Sequence, residues 1–259
     1  MTTPGWFIDL YQAAMISALI LSIPSVLMYS NRWTNRVAVL IFGVVAVTWI
    51  SRYAITGHFP MFGAYESALS LAFFSGTILL PASKLHQQSY LSFYPSIVAA
   101  LLYHGKRYSS TIYALTISER GFWVHLHAIV AFVCFGLAVL LFLASVLVLL
   151  GNNAPIKKLL LFFYLLYTLT IITGSFYEFL LFGRVWSFDP IETMNLACFL
   201  GFTTLAHMIS FQNWAPRRIA SWSIFCSLLL VAAYRLILIF PPETTYHIFD
   251  IDLRIHLVR

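Results

Sequence analysis

The sequence predicts an all-α fold, a polytopic membrane helix bundle of about eight transmembrane helices. Three observations predict it. Of 259 residues, 61% are hydrophobic and only 9% are charged, whereas a soluble domain carries about 25% charged residues. The apolar residues come in long uninterrupted runs, most of them near the roughly 20 residues a helix needs to cross a bilayer. No internal period of the kind that builds a soluble repeat array is present.

Taken in order on that ~20-residue criterion, the runs lie at about 9–30, 36–56, 64–82, 90–104, 122–150, 157–181, 191–212 and 217–240. The fourth is short and the fifth long. Ahead of the first, the chain lacks the basic start and small-residue cleavage site of a removable signal peptide. Eight spans put both termini on one side. The connections 31–35, 83–89, 151–158 and 213–218, with their flanks, hold Arg32, Arg36, Lys84, Lys157, Lys158, Arg217 and Arg218 and no acid. Short, purely basic loops face the cytoplasm. Both termini and the connection after the sixth span are therefore expected outside.

The net charge of +6 does not point to nucleic acid, because no run of basic residues exceeds two and such binding needs a concentrated basic face. Cys134, Cys198 and Cys226 share no metal-type spacing, and each reads as a small core residue.

The histidines and one polar cluster carry the functional signal. His127 is expected near the outer end of the fifth span, with His125 just outside it, and His247 just beyond the eighth. His207 lies within the seventh span, in "GFTTLAHMIS", where an ionisable group is a functional candidate by default. A lone histidine in a membrane helix more often makes an interhelical hydrogen bond. Two on different helices at one face can instead supply both axial nitrogens to a haem iron. A zinc site would want Cys, Asp or Glu at short spacing, and the aromatic neighbours here suit a flat macrocycle better. The cluster is "GRVWSFDPIETMN" at residues 183–195. Asp189 suits the N-cap of the seventh helix, with Pro190 first and Glu192 third. A well-capped interfacial turn with an aromatic belt would look the same.

Three stretches resemble the CcsA/ResC type of cytochrome c biogenesis protein, the integral subunit of the system II cytochrome c synthase. "GRVWSFDPIET" is similar to that type's tryptophan-rich "WGxYWxWDPKET" signature. "RYAITGHFPMFGAYESALSLAF" (52–73) is similar to "GHFPxSNLYESLxFL", and "WVHLHAIVAF" (123–132) to "WLxxHV". The likeness covers roughly residues 50–250, within one haem-handling domain spanning 1–259 whose external haem-binding segment, short and amphipathic, is about 174–195. It implies that His127 is an external axial ligand. It places an intramembrane ligand on His207, eighteen residues after Asp189, and a second external ligand on His247. Phe182 and Phe188 stand where the family has tryptophans, Ile191 replaces its lysine, and the "GLHSYG" context is not kept around His247.

On this resemblance Trp186, Phe182 and Phe188 would cover the body of haem b while Asp189 and Pro190 turn the chain. Arg52 and Arg235, each near the outer end of a span, would either snorkel to headgroups or pair with the propionates. Glu66 reads as a helix-start residue. The implied function is haem transport and its presentation to the C-x-x-C-H of an exported apocytochrome c. The place is the outer face of a bacterial cytoplasmic or thylakoid-type membrane. A separate CcsB/ResB-type subunit is the implied partner, supplying a histidine opposite His207, so any enzymatic activity would belong to the complex. The alternatives within haem biology are a HemX-type regulator and a CcmC-type export adaptor; a b-type electron-transfer subunit and a cofactor-free transporter are the others.

Overall fold

The computed structural model describes residues 2–29, 32–86, 90–112, 114, 115 and 118–236, and at 86, 118 and 234–236 the backbone alone. The described residues form eight α-helices and no strand: α1 (Gly5–Leu27), α2 (Arg32–Thr56), α3 (Ala64–His86), α4 (Tyr94–Gly105), α5 (Phe122–Leu149), α6 (Ile156–Phe182), α7 (Pro190–Gln212) and α8 (Pro216–Leu236). Each falls on one of the expected runs. Six are long and apolar enough to cross a membrane, namely α1, α2, α3, α5, α6 and α7. The molecule is thus a multi-pass helical membrane protein by helix length and hydropathy.

The fourth run departs from a simple span. Its helix has 12 residues, about 18 Å at 1.5 Å per residue, and follows a 3-10 turn at Tyr90–Phe93. Pro95 sits at its start, where a missing N–H costs nothing. The eighth run begins with Pro216, Arg217 and Arg218. This basic first turn dilutes an otherwise apolar helix.

Large apolar side chains such as Leu27, Leu40, Ile20 and Leu165 point outward. A helix that is hydrophobic all round belongs in a large core or in lipid, and these outward faces suit lipid. The three cysteines are free and buried.

Contacts gather the helices into two compact units, α1–α4 and α5–α8. In the first, Tyr11 of α1 stacks on Tyr65 of α3 at 4.5 Å between centroids, and its hydroxyl donates to the Leu102 carbonyl of α4 at 3.0 Å. Trp49 of α2 donates to Ser70 Oγ of α3 at 2.8 Å. In the second, Phe163 of α6 meets Phe202 of α7 at 4.5 Å, and the Tyr167 hydroxyl donates to the Asn195 carbonyl at 3.0 Å. Tyr11, Trp49 and Tyr167 thus find partners across helices, as polar groups in a membrane interior tend to.

Candidate functional site

The polar cluster of residues 183–195 lies at one end of the α5–α8 unit. α6 stops at Gly183, whose φ of 69° is the left-handed cap conformation that glycine adopts without steric cost. Pro190 starts α7. Only residues 184–189 remain between the two helices, too few for a helix of their own. The expected amphipathic segment is therefore an irregular loop flanked by the ends of α6 and α7.

Asp189 caps α7 as expected. Its carboxylate accepts from the Glu192 N–H at 2.7 Å, and its extended backbone, with φ −64° and ψ 159°, is what a following proline demands. Glu192 answers from the third helical position. Its Oε2 accepts from the Ser187 N–H at 2.8 Å and the Ser187 hydroxyl at 2.9 Å. This is a capping box lengthened by two residues, and it holds the loop from behind.

Between these anchors Phe188 has φ 59°. A bulky side chain rarely occupies that region, and holding it there costs about 1–3 kcal/mol. Its ring faces outward, 77% exposed. Trp186 is half-buried, and its indole Nε1–H is buried with no hydrogen-bond acceptor among the described residues. Phe182, the last residue of α6, is exposed, and the Arg184 guanidinium lies over its ring at 5.8 Å. Arg184 also reaches Glu178 at 3.6 Å.

His127 sits on α5, five residues from that helix's start, and faces α6. Trp123 of α5 meets Phe176 of α6 at 4.3 Å, so the start of α5 lies beside the end of α6. His127 Nδ1 lies 3.1 Å from the Thr170 carbonyl and 3.3 Å from Thr173 Oγ1. Nine residues of α6 separate Gly174, against this ring, from Gly183, about 13 Å along the axis. His127 thus lies deeper than the loop, on the same half of the unit. His125 donates from Nδ1 to the Gly121 carbonyl at 2.9 Å, a local bond within the first turn of its own helix.

His207 is exposed on α7, its ring 4.6 Å from that of Phe211. It stands five residues before the helix's end at Gln212, about 8 Å. That places it toward the C-terminal end of α7 rather than midway. Its side chain points away from the helices of its own unit.

Arg52 belongs to the other unit and is only 1% exposed. Its Nε donates to Glu66 Oε1 at 2.8 Å, Nη2 reaches the same oxygen at 2.8 Å, and Nη1 donates to Thr3 Oγ1 and the Ser110 carbonyl. The guanidinium also lies 5.6 Å from the ring centres of Phe7 and Tyr65. These partners are internal ones, and neither lipid headgroups nor propionates are needed to account for them. Glu66 is in the first turn of α3, as expected, and is in addition the counter-ion of Arg52; nothing short of the fold itself reveals that pairing. Arg235 is the penultimate residue of α8, and its side chain, like the whole of His247, lies outside the described residues. Among the described residues no three His, Cys, Asp or Glu side chains group as a metal ion would require.

No protein-family model matches the chain, and no curated protein matches it.

Proposed function

We propose that the chain is a haem-handling subunit of cytochrome c assembly, resembling the CcsA/ResC type, that holds haem b at the outer face of the membrane. The observation that carries this reading is the 184–189 loop. It is capped at its C-terminal end by Asp189, tied from behind by Glu192, and strained at Phe188 so that an aromatic face stays exposed. An interfacial turn of purely structural purpose has no use for that strain. A buried indole N–H in the same loop, without an acceptor among the described residues, calls for a ligand oxygen or water.

The described residues fit a haem in kind: an imidazole for iron, aromatic faces for the ring, and an indole N–H with the Arg184 guanidinium for carboxylates. His127 would hold the iron, with His247 as the second ligand. Phe188 and Trp186 would cover the ring and exclude water. When bound, haem would supply the vinyl carbons to which the two thiols of an apocytochrome C-x-x-C-H add. The chain's own service is positioning, because thiols and vinyl carbons react when held close and aligned. His207, turned away from its own unit, supports a separate membrane partner of the CcsB/ResB type that would cover it, since ionisable residues within spans rarely face lipid. A HemX-type regulator or a CcmC-type export adaptor would share the haem site and differ in having no synthase partner. A b-type electron-transfer subunit would need paired histidines within the bilayer.

The test is a pyridine haemochrome spectrum of the protein purified alone and with its partner. Haem b is expected, low-spin in the native protein and high-spin in His127→Ala. A preparation without Soret absorption would sink the reading in favour of a transporter. Sidedness is checked with a cysteine at Ser187 in a chain lacking Cys134, Cys198 and Cys226. An impermeant thiol reagent should label it on intact cells, and protection would reverse the orientation.

A further inference from the structure

The contact between His127 and α6 says more than that two helices touch. A carbonyl oxygen can only accept a hydrogen bond, so the ring nitrogen 3.1 Å from the Thr170 carbonyl must carry a proton. The other neighbour agrees. Thr173 Oγ1 lies within 2.9 Å of the Leu169 carbonyl and 3.0 Å of the Thr170 carbonyl. Its single hydroxyl proton is thus directed at the backbone, leaving a lone pair toward Nδ1 at 3.3 Å. Two acceptors meet at Nδ1. In the neutral ring the proton is then on Nδ1, and Nε2 is the nitrogen with the lone pair.

Gly174 is what lets the ring reach that carbonyl. A Cβ built there would stand 2.8 Å from His127 Cε1, 3.1 Å from Nδ1 and 3.5 Å from Nε2, and these three are its nearest neighbours. Real Cβ atoms do not tolerate the shortest of these distances. Glycine inside a helix costs roughly 1 kcal/mol relative to alanine, and here it opens space for one side chain.

Building on the haem reading, we propose that Thr170, Thr173 and Gly174 form a cradle that selects the Nδ1–H tautomer of His127 and so assigns iron ligation to Nε2. The three are positioning residues. Hydrogen bonding at the far nitrogen fixes the orientation of a ligating imidazole and raises its basicity, which favours the ferric state. The rival is a helix clasp, in which the same bond does nothing but join α5 to α6.

The experiment has two arms. In the first, side-chain nitrogen NMR of histidine-labelled protein, with His127→Gln to assign the signal, reads the tautomer without needing haem. A proton on Nδ1 and a bare or metal-bound Nε2 are expected; a dominant Nε2–H form overturns the cradle whatever the haem content. In the second, the complex with its partner is purified for Thr173→Val, Thr173→Ser and Gly174→Ala. Removing the Thr173 acceptor should move the midpoint potential positive, and serine should return it to the native value. Gly174→Ala should lower haem per protein several-fold, with added imidazole restoring a low-spin spectrum. Native potential in Thr173→Val together with full haem loading in Gly174→Ala would reduce the contact to a clasp. Should Gly174→Ala fail to accumulate, the near-isosteric Thr173→Val alone decides, native potential then overturning the proposal. A native complex with no Soret band would defeat the haem reading instead, and the NMR arm would still decide the tautomer.

Discussion

Arg52 in one helical unit and His127 in the other are engaged differently. In α1–α4 the one buried arginine among the described residues is saturated from within: Glu66, Thr3 and the Ser110 carbonyl take its donors and two aromatic rings flank it. In α5–α8 the notable groups are anchored at particular atoms. His127 meets α6 through Nδ1, the 184–189 loop is tied through Glu192 and Asp189, and His207 faces outward. The difference teaches where to look for function. A charge neutralised from within is a structural device, whereas on the haem reading an imidazole anchored at Nδ1 is oriented to meet a ligand at Nε2.

The strongest way to break this contrast is to break the ion pair. Arg52→Ala leaves a carboxylate buried without its cation, which costs about 3–5 kcal/mol. Unfolding in mild detergent should show that loss, and Arg52→Met combined with Glu66→Met should recover most of it. Native stability in Arg52→Ala would mean that the pair holds nothing. If the double variant also binds haem normally, the arginine serves the first unit only.

A smaller effect is expected from Gly105→Ala. A Cβ there would lie 2.7 Å from Ala68 Cβ on α3, and overpacking of this kind costs about 1–3 kcal/mol. Unlike Gly174→Ala, it should leave the His127 nitrogen signals unchanged. Coupled changes in both would erase the distinction between packing glycine and cradle glycine.

Asp189→Ala should cost about 1 kcal/mol through the lost cap, read as faster amide exchange in the first turn of α7. On the haem reading it should also loosen the loop and weaken haem retention; exchange rates like those of the native protein would show that the cap is dispensable. The smallest effect belongs to His125→Ala. Its local bond to Gly121 should matter by no more than about 0.5 kcal/mol, with the low-spin spectrum kept. Loss of that spectrum in His125→Ala, with His127→Ala intact, would mean that the neighbouring histidine is the ligand.

Much of this molecule was readable without a fold, for a local reason. Membrane class follows from composition and run length, and helix ends follow from short-range signals such as Gly183, Pro190 and the Asp189 cap, whose hydrogen bonds close within a few residues. The three buried cysteines also follow, because each lies inside an apolar run. Facing could not be read in the same way. These helices are apolar on every side, so hydropathy carries no information about which stripe packs against a neighbour and which meets lipid. The rotation and register of one helix against another decided that Arg52 meets Glu66, that His127 meets Thr170 across 43 residues, and that His207 looks outward. The positive φ of Phe188 was equally invisible, since a bulky residue carries no local signal for the left-handed region. Sequence determined that apolar helices build this protein and roughly where they lie; tertiary structure alone decided which polar atoms spend their hydrogen bonds inside the protein.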